Sequence, residues 1–134
     1  GLANPAGVSR AVQATEAAEK IGLPEARIPL ANAVIEMCLS PKSNSAISAI
    51  DQALQDVREG KTGDVPAHLK DTHYKGAKDL GSGIGYQFPH NFESHWISQQ
   101  YLPDTIKSRE YYAPVLTSKF EEALNKQLQK FDNK

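Results

Sequence analysis

The segment from Leu30 to Leu39, Leu-Ala-Asn-Ala-Val-Ile-Glu-Met-Cys-Leu, constrains the fold more than any other. Leu30, Val34, Met37 and Cys38 share one helical face, and Ala31, Ile35 and Leu39 widen it. A helix apolar over so much of its circumference is expected to be central to a fold. Pro29 starts this segment and Ser40-Pro41 ends it. Glu36 interrupts it, and it falls far short of the ~20 apolar residues that a membrane span needs.

Two further helices flank it. Asn4-Pro5 reads as a helix start, because Asn can accept from free amides and Pro fits the first turn. Ala11, Ala14, Ala18 and Ile21 then line one face, and Gly22 is a stop. So much alanine lets a neighbouring helix approach closely. Pro24 to Arg27 fits a single helical turn. After Lys42-Ser43-Asn44-Ser45, which is rich in capping residues, Ile47, Ile50, Leu54 and Val57 form a clean stripe. Asp51, Gln52, Gln55, Asp56, Arg58 and Glu59 cover its other side, and Gly60 closes it. Residues 4–60 therefore read as three consecutive helices with short links, the pattern of a packed bundle.

From Lys61 glycines and prolines become frequent, and eight of the ten aromatics fall between Tyr74 and Tyr112, too many for a disordered linker. A short helix over Thr72–Leu80 and a short strand pair near Tyr86–Phe88 and Ile97–Tyr101 are expected; the rest to Pro114 is irregular. Long irregular stretches inside a domain tend to be functional or partner-bound. Ser118 and Glu121 then make a capping box ahead of the stripe Phe120, Leu124, Leu128 and Phe131.

No catalytic constellation emerges from these residues. Gly81-Ser82-Gly83-Ile84-Gly85 follows an expected helix, not a strand, and its spacing is neither of the phosphate-loop patterns. It reads as a helix cap followed by a tight turn. His68/His73 and His90/His95 are each five apart, not the i, i+4 spacing of helical zinc ligands. They read as surface or hydrogen-bonded histidines, with His90 and His95 placed to tune an interface with pH. Cys38, the only cysteine, excludes an intramolecular disulfide, suits a reducing cytoplasm, and reads as a small hydrophobe. Glu121-Glu122 and Asp56/Glu59 read as solvated helix faces. Lys70, Lys75 and Lys78 with Tyr74 form a weak candidate DNA contact. Asp71 and Asp79 interleave with them, and the net charge is only −1. The aromatic set Tyr86, Phe88, Phe92, Trp96, Tyr101, Tyr111 and Tyr112 is the strongest candidate interface. A local mini-core pinning the irregular segment would use the same residues.

The order of motifs resembles a known family. Pro24-Glu25-Ala26-Arg27-Ile28-Pro29-Leu30-Ala31, Pro41-Lys42-Ser43-Asn44-Ser45 and Ala49-Ile50-Asp51 carry the first half. Val65-Pro66, His68-Leu69, Tyr74-Lys75-Gly76-Ala77-Lys78, Gly85-Tyr86, Phe88-Pro89-His90, Gln99-Gln100-Tyr101-Leu102-Pro103 and Tyr111-Tyr112-Ala113-Pro114 carry the second. Over about residues 1–116 these are similar to the C-terminal region of the MgsA/RarA family of AAA+ ATPases, the replication-associated recombination proteins. Asn91-Phe92-Glu93-Ser94-His95-Trp96 departs most from the family pattern, and the tail after Thr117 is a generic helix.

The resemblance implies an ATPase core elsewhere in the parent protein, which would bind ATP and Mg and act on DNA at replication forks. It implies an all-α helical bundle like the clamp-loader collar and assembly of the parent as a homotetramer. No catalytic residue of the family falls on a position of this chain. The opening Gly1-Leu2-Ala3-Asn4-Pro5, without Met, likewise reads as the interior of a longer protein.

The expectation is one C-terminal oligomerisation domain over 1–134. It comprises a three-helix core (1–60), an irregular aromatic-rich segment (61–116) and a C-terminal helix (117–134). It carries no cofactor or metal of its own, has no membrane association, and belongs to a cytoplasmic, nucleoid-associated parent. Two alternatives stand beside it: a DNA- or replication-protein-binding module of the same parent, and a small stand-alone enzyme in the glycine and histidine segment.

Overall fold

A computed structural model describes residues 1–73, 75 and 82–132. The fold is all-α. Four α-helices run in chain order: α1 (Gly7–Ile21), α2 (Arg27–Leu39), α3 (Ser45–Arg58) and α4 (Lys119–Asp132). Single 3-10 turns at Ala67–Leu69, Pro89–Asn91, Glu93–His95 and Asp104–Ile106 punctuate the stretch between α3 and α4. The described residues fall into two compact units, Gly1–Ile50 with those from Tyr112 onward, and Asp51–Tyr111.

In the first unit α1 packs along α2. The seam is built from small residues. Gly7 and Ala14 are buried, and a Cβ on Gly7 would lie 3.0 Å from Met37 Cε. Gly22 ends α1 with φ 75°, its amide donating to the Ala18 carbonyl at 3.0 Å. That left-handed conformation is one glycine adopts without a Cβ penalty. Ala26, 2% exposed, fills the corner between the helices.

The expected start of α1 is corrected. Asn4 does not cap the helix with its side chain; its Nδ2 donates instead to Ser40 Oγ at 2.8 Å and Glu36 Oε1 at 3.4 Å. It thus ties the chain's beginning to the end of α2. Arg10 Nη1 reaches Glu36 Oε2 at 3.0 Å beside it.

The expected central position of α2 is also corrected. The helix has no buried residue, and Val34, Ile35 and Leu39 are exposed, Leu39 by 80%. Cys38 on the same helix is exposed rather than packed. Periodicity shows that a surface is apolar; it does not supply what covers it. Among the described residues α1 is the helix that packs against α2.

The link into α3 is well tied. Lys42 Nζ donates to the Met37 and Ser40 carbonyls, placing a cation on the carbonyl end of α2. Thr117 Oγ1 donates to the Lys42 carbonyl at 2.7 Å, joining the lead-in of α4 to the same link.

In the second unit side-chain to backbone bonds join distant parts of the chain after α3. Gly60, with φ 72°, donates to the Val57 carbonyl and ends the helix. His68 Nε2 meets the Gln100 carbonyl at 2.9 Å, and Thr105 Oγ1 donates to the Thr62 carbonyl at 2.8 Å. At Gly63 a Cβ would lie 2.8 Å from Pro103 Cβ, so this crossing requires glycine.

No strand forms among the described residues, so the expected strand pair is absent. Its two segments meet through Gln99 Nε2, which approaches the Gln87 carbonyl at 3.4 Å, in place of a backbone ladder. Most of the helix expected over Thr72–Leu80 lies outside the described residues, and Thr72 and His73 are not helical.

Candidate functional site

Two kinds of surface qualify as functional: apolar helix faces open to solvent and the aromatic segment. The structure also holds two buried carboxylates, one in each unit.

The first carboxylate is Glu121, at 0% exposure the most enclosed large side chain. Ser118 caps α4 as expected, its Oγ accepting the Glu121 amide at 3.2 Å. The reciprocal half of the capping box is different. Glu121 Oε1 accepts the Val115 amide at 3.0 Å and the Tyr112 hydroxyl at 3.4 Å. The Ser43 and Ser45 hydroxyls also act on this carboxylate, while its Oε2 has no partner in hydrogen-bonding geometry. Burial pushes its pKa up, but the Ser45 hydroxyl, the Val115 amide, Ser43 and Tyr112 together hold it below the usual value. It lies in the first turn of α4, and Ser45 opens α3, so helix N-termini favour the anion.

The second is Asp56 on α3, 3% exposed. Arg109 Nη2 donates to its Oδ1 at 2.6 Å and Tyr111 donates to Oδ2 at 3.1 Å. Lys61 Nζ lies 3.6 Å away and pairs more closely with Glu59, at 2.6 Å. The Arg109 hydrogen bond outweighs burial and holds the Asp56 carboxyl low. The reading of Asp56 and Glu121 as solvated is therefore corrected. A helical wheel places both among polar neighbours, but their partners arrive from far along the chain.

These anchors account for the hydroxyls of Tyr111 and Tyr112, both half-buried, with burial the main cause of their raised pKa values. Tyr86, Phe88, Phe92 and Tyr101 are exposed, and Trp96 is half-buried. Phe88 packs against the His90 ring with centroids 5.0 Å apart. Lys70 and Lys75 are exposed, and Lys70 Nζ lies 4.0 Å from Asp64. Lys78, like Tyr74, is outside the described residues. Gly83 and Gly85 adopt φ 70° and 83°, as a tight turn requires. The Gly83 amide donates to the Ala67 carbonyl at 2.7 Å. No group of three or more metal-ligating side chains occurs among the described residues.

The larger open surface is aliphatic, and periodicity had assigned it to the core. On α3 the whole stripe Ile47, Ile50, Leu54 and Val57 faces solvent, 42–60% exposed, while Ser45 and Asp56 are the buried positions. On α1 Val8, Val12 and Ile21 are exposed, and on α2 Ile28 and Leu30 join Val34, Ile35 and Leu39. No helix among the described residues is long and apolar enough to cross a membrane.

The chain matches the family described as MgsA AAA+ ATPase C terminal over residues 1–132. It is 64% identical over 124 residues to the replication-associated recombination protein A of Bacillus subtilis (strain 168), covering 92% of this chain and 30% of that protein. The protein of that name from Escherichia coli (strain K12) is 31% identical over 116 residues, with coverages of 86% and 26%. That from Haemophilus influenzae is 30% identical over the same length and shares. The chain thus spans less than a third of the length of these relatives. With its all-α fold and this match from end to end, the chain belongs to the MgsA C-terminal family of AAA+ ATPases.

Proposed function

We propose that this chain is the self-assembly module of a AAA+ ATPase that acts on DNA in replication and recombination, and that it brings four copies together. The carrying observation is α2, apolar around most of its circumference and without one buried residue. Twelve Val, Leu and Ile side chains on α1, α2 and α3 are exposed. Covering the open half of each is worth ~1 kcal/mol. The sum, on the order of 10 kcal/mol, is of the size needed to offset the ~4–15 kcal/mol lost on association. Copies of one chain carry these faces in matched stoichiometry, and closed symmetric assembly leaves none uncovered. The parent would be cytoplasmic, and ATP, Mg and the ATPase chemistry would belong to its other domains.

Light scattering on a sizing column over a range of concentrations tests this. A stable mass near four times 14.7 kDa is expected. A strict monomer at high concentration would overturn self-assembly by this chain and turn attention to a different partner for the same faces.

A further inference from the structure

The stripe on α3 is turned away from its own chain. Ser45 and Asp56 are buried, whereas Ile47, Ile50, Leu54 and Val57 are exposed. Ser45 and Asp56 are close to three helical turns apart, so one line along α3 carries both, and the stripe lies on the opposite side. The helix thus directs polar groups inward and its apolar side outward, the reverse of a surface helix in a lone chain.

The stripe is also self-complementary. Its spacings of three, four and three read the same from either end. Laid antiparallel on a second copy, about a two-fold axis level with Gln52, Ile47 meets the partner's Val57 and Ile50 meets the partner's Leu54. Both pairings hold at once, because each is centred on position 52. The four residues take the a and d positions of a short helical seam. Ala46 and Ala53 flank it on one side, Asp51 and Arg58 on the other. The alanines let two helices approach closely and leave the charged residues at the rim.

We infer that the α3 stripe binds the same stripe of a second copy of this chain, antiparallel about a two-fold axis. This rests on the assembly proposed above and adds its geometry. A face of four aliphatic side chains falls well short of the ~800 Å² per partner of a standard interface. The α3 pair is therefore one two-fold contact of a closed tetramer, and the open faces of α1 and α2 supply another.

Crosslinking tests it in a Cys38→Ser background, where an introduced cysteine is the only one. Ala46 and Ala53 lie on the same flank. In the antiparallel pair Ala53 is offset from its mate by about 3 Å along the helix, and Ala46 by about 18 Å. With a short bis-maleimide, Ala53→Cys is expected to form covalent dimers at least about tenfold faster than Ala46→Cys. In an equimolar mixture, Ile47→Cys and Val57→Cys chains should crosslink to each other in preference to themselves. Circular dichroism and light scattering establish that each variant folds and assembles; if Ala53→Cys does not, the mixture decides. Equal crosslinking at Ala46 and Ala53 would mean a parallel pair, and crosslinking at neither would mean another face. Either result in an assembled chain overturns the α3 pair and leaves self-assembly standing. A parent chain that stays monomeric at high concentration overturns both.

Discussion

Arg109 donates through Nη2 to Asp56 Oδ1 at 2.6 Å, joining positions 53 residues apart. Asp56 is almost fully enclosed while Arg109 keeps one side in solvent. Removing the guanidinium would leave a buried carboxylate with Tyr111 and a distant Lys61. Breaking one side of such a pair destabilises more than removing both. Arg109→Ala is expected to lower Tm by several degrees. The double variant with Asp56→Ala should be no less stable than Arg109→Ala alone, as thermal unfolding of the full mutant cycle would show.

Acid should unfold the chain through the same groups. Asp56 and Glu121 have folded pKa values below the usual carboxylate range. Groups depressed in this way stabilise fully above their unfolded pKa, and the contribution is lost as pH falls through the folded value. Tm is therefore expected to be level near neutrality and to fall from about pH 4.5 downward. Glu121→Gln should flatten part of that slope. At the alkaline end Tyr111 and Tyr112 have raised pKa values. Their contribution is present below the ordinary phenol value and is lost as pH rises beyond about 10.

Charge on the outer face of α3 should disrupt assembly and spare the fold. Ile50 and Val57 are 54% and 60% exposed. Ile50→Asp or Val57→Asp would present a carboxylate to any partner covering that stripe. Far-ultraviolet circular dichroism is expected to be unchanged, while the dissociation constant measured by light scattering rises at least about tenfold.

The seam of α1 and α2 should respond in the opposite way. Ala14 is buried on it, and Gly7 lies against Met37. Ala14→Leu adds bulk at a buried position and should cost about 1–3 kcal/mol, read by denaturant unfolding. Gly7→Ala should be far milder, because the neighbouring atom is the end of a flexible methionine.

Much of the local structure was legible in the residues. Gly22 and Gly60 end α1 and α3 where their backbone freedom is needed, and Ser118 caps α4. Helix starts were less legible. Pro29 suggested the start of α2, which begins two residues earlier at Arg27, and Asn4 looked like a cap but bonds to Ser40 and Glu36. A short polar side chain near a helix end serves either a local amide or a distant partner, and sequence does not separate these.

The sequence by itself determined that the chain is helical, roughly where each helix stops, and its family, because caps, breakers and periodic apolar residues act within a few positions of one another. Only the tertiary structure decided which faces are covered. Ile47, Ile50, Leu54 and Val57 form a stripe that looks like a core contact and faces solvent, whereas Asp56 on the opposite side is enclosed. Burial is set by contacts made across long stretches of chain, such as Arg109 with Asp56. Glu121 is likewise reached by Ser43 and Ser45. A hydrophobic pattern records only that a face prefers to be covered.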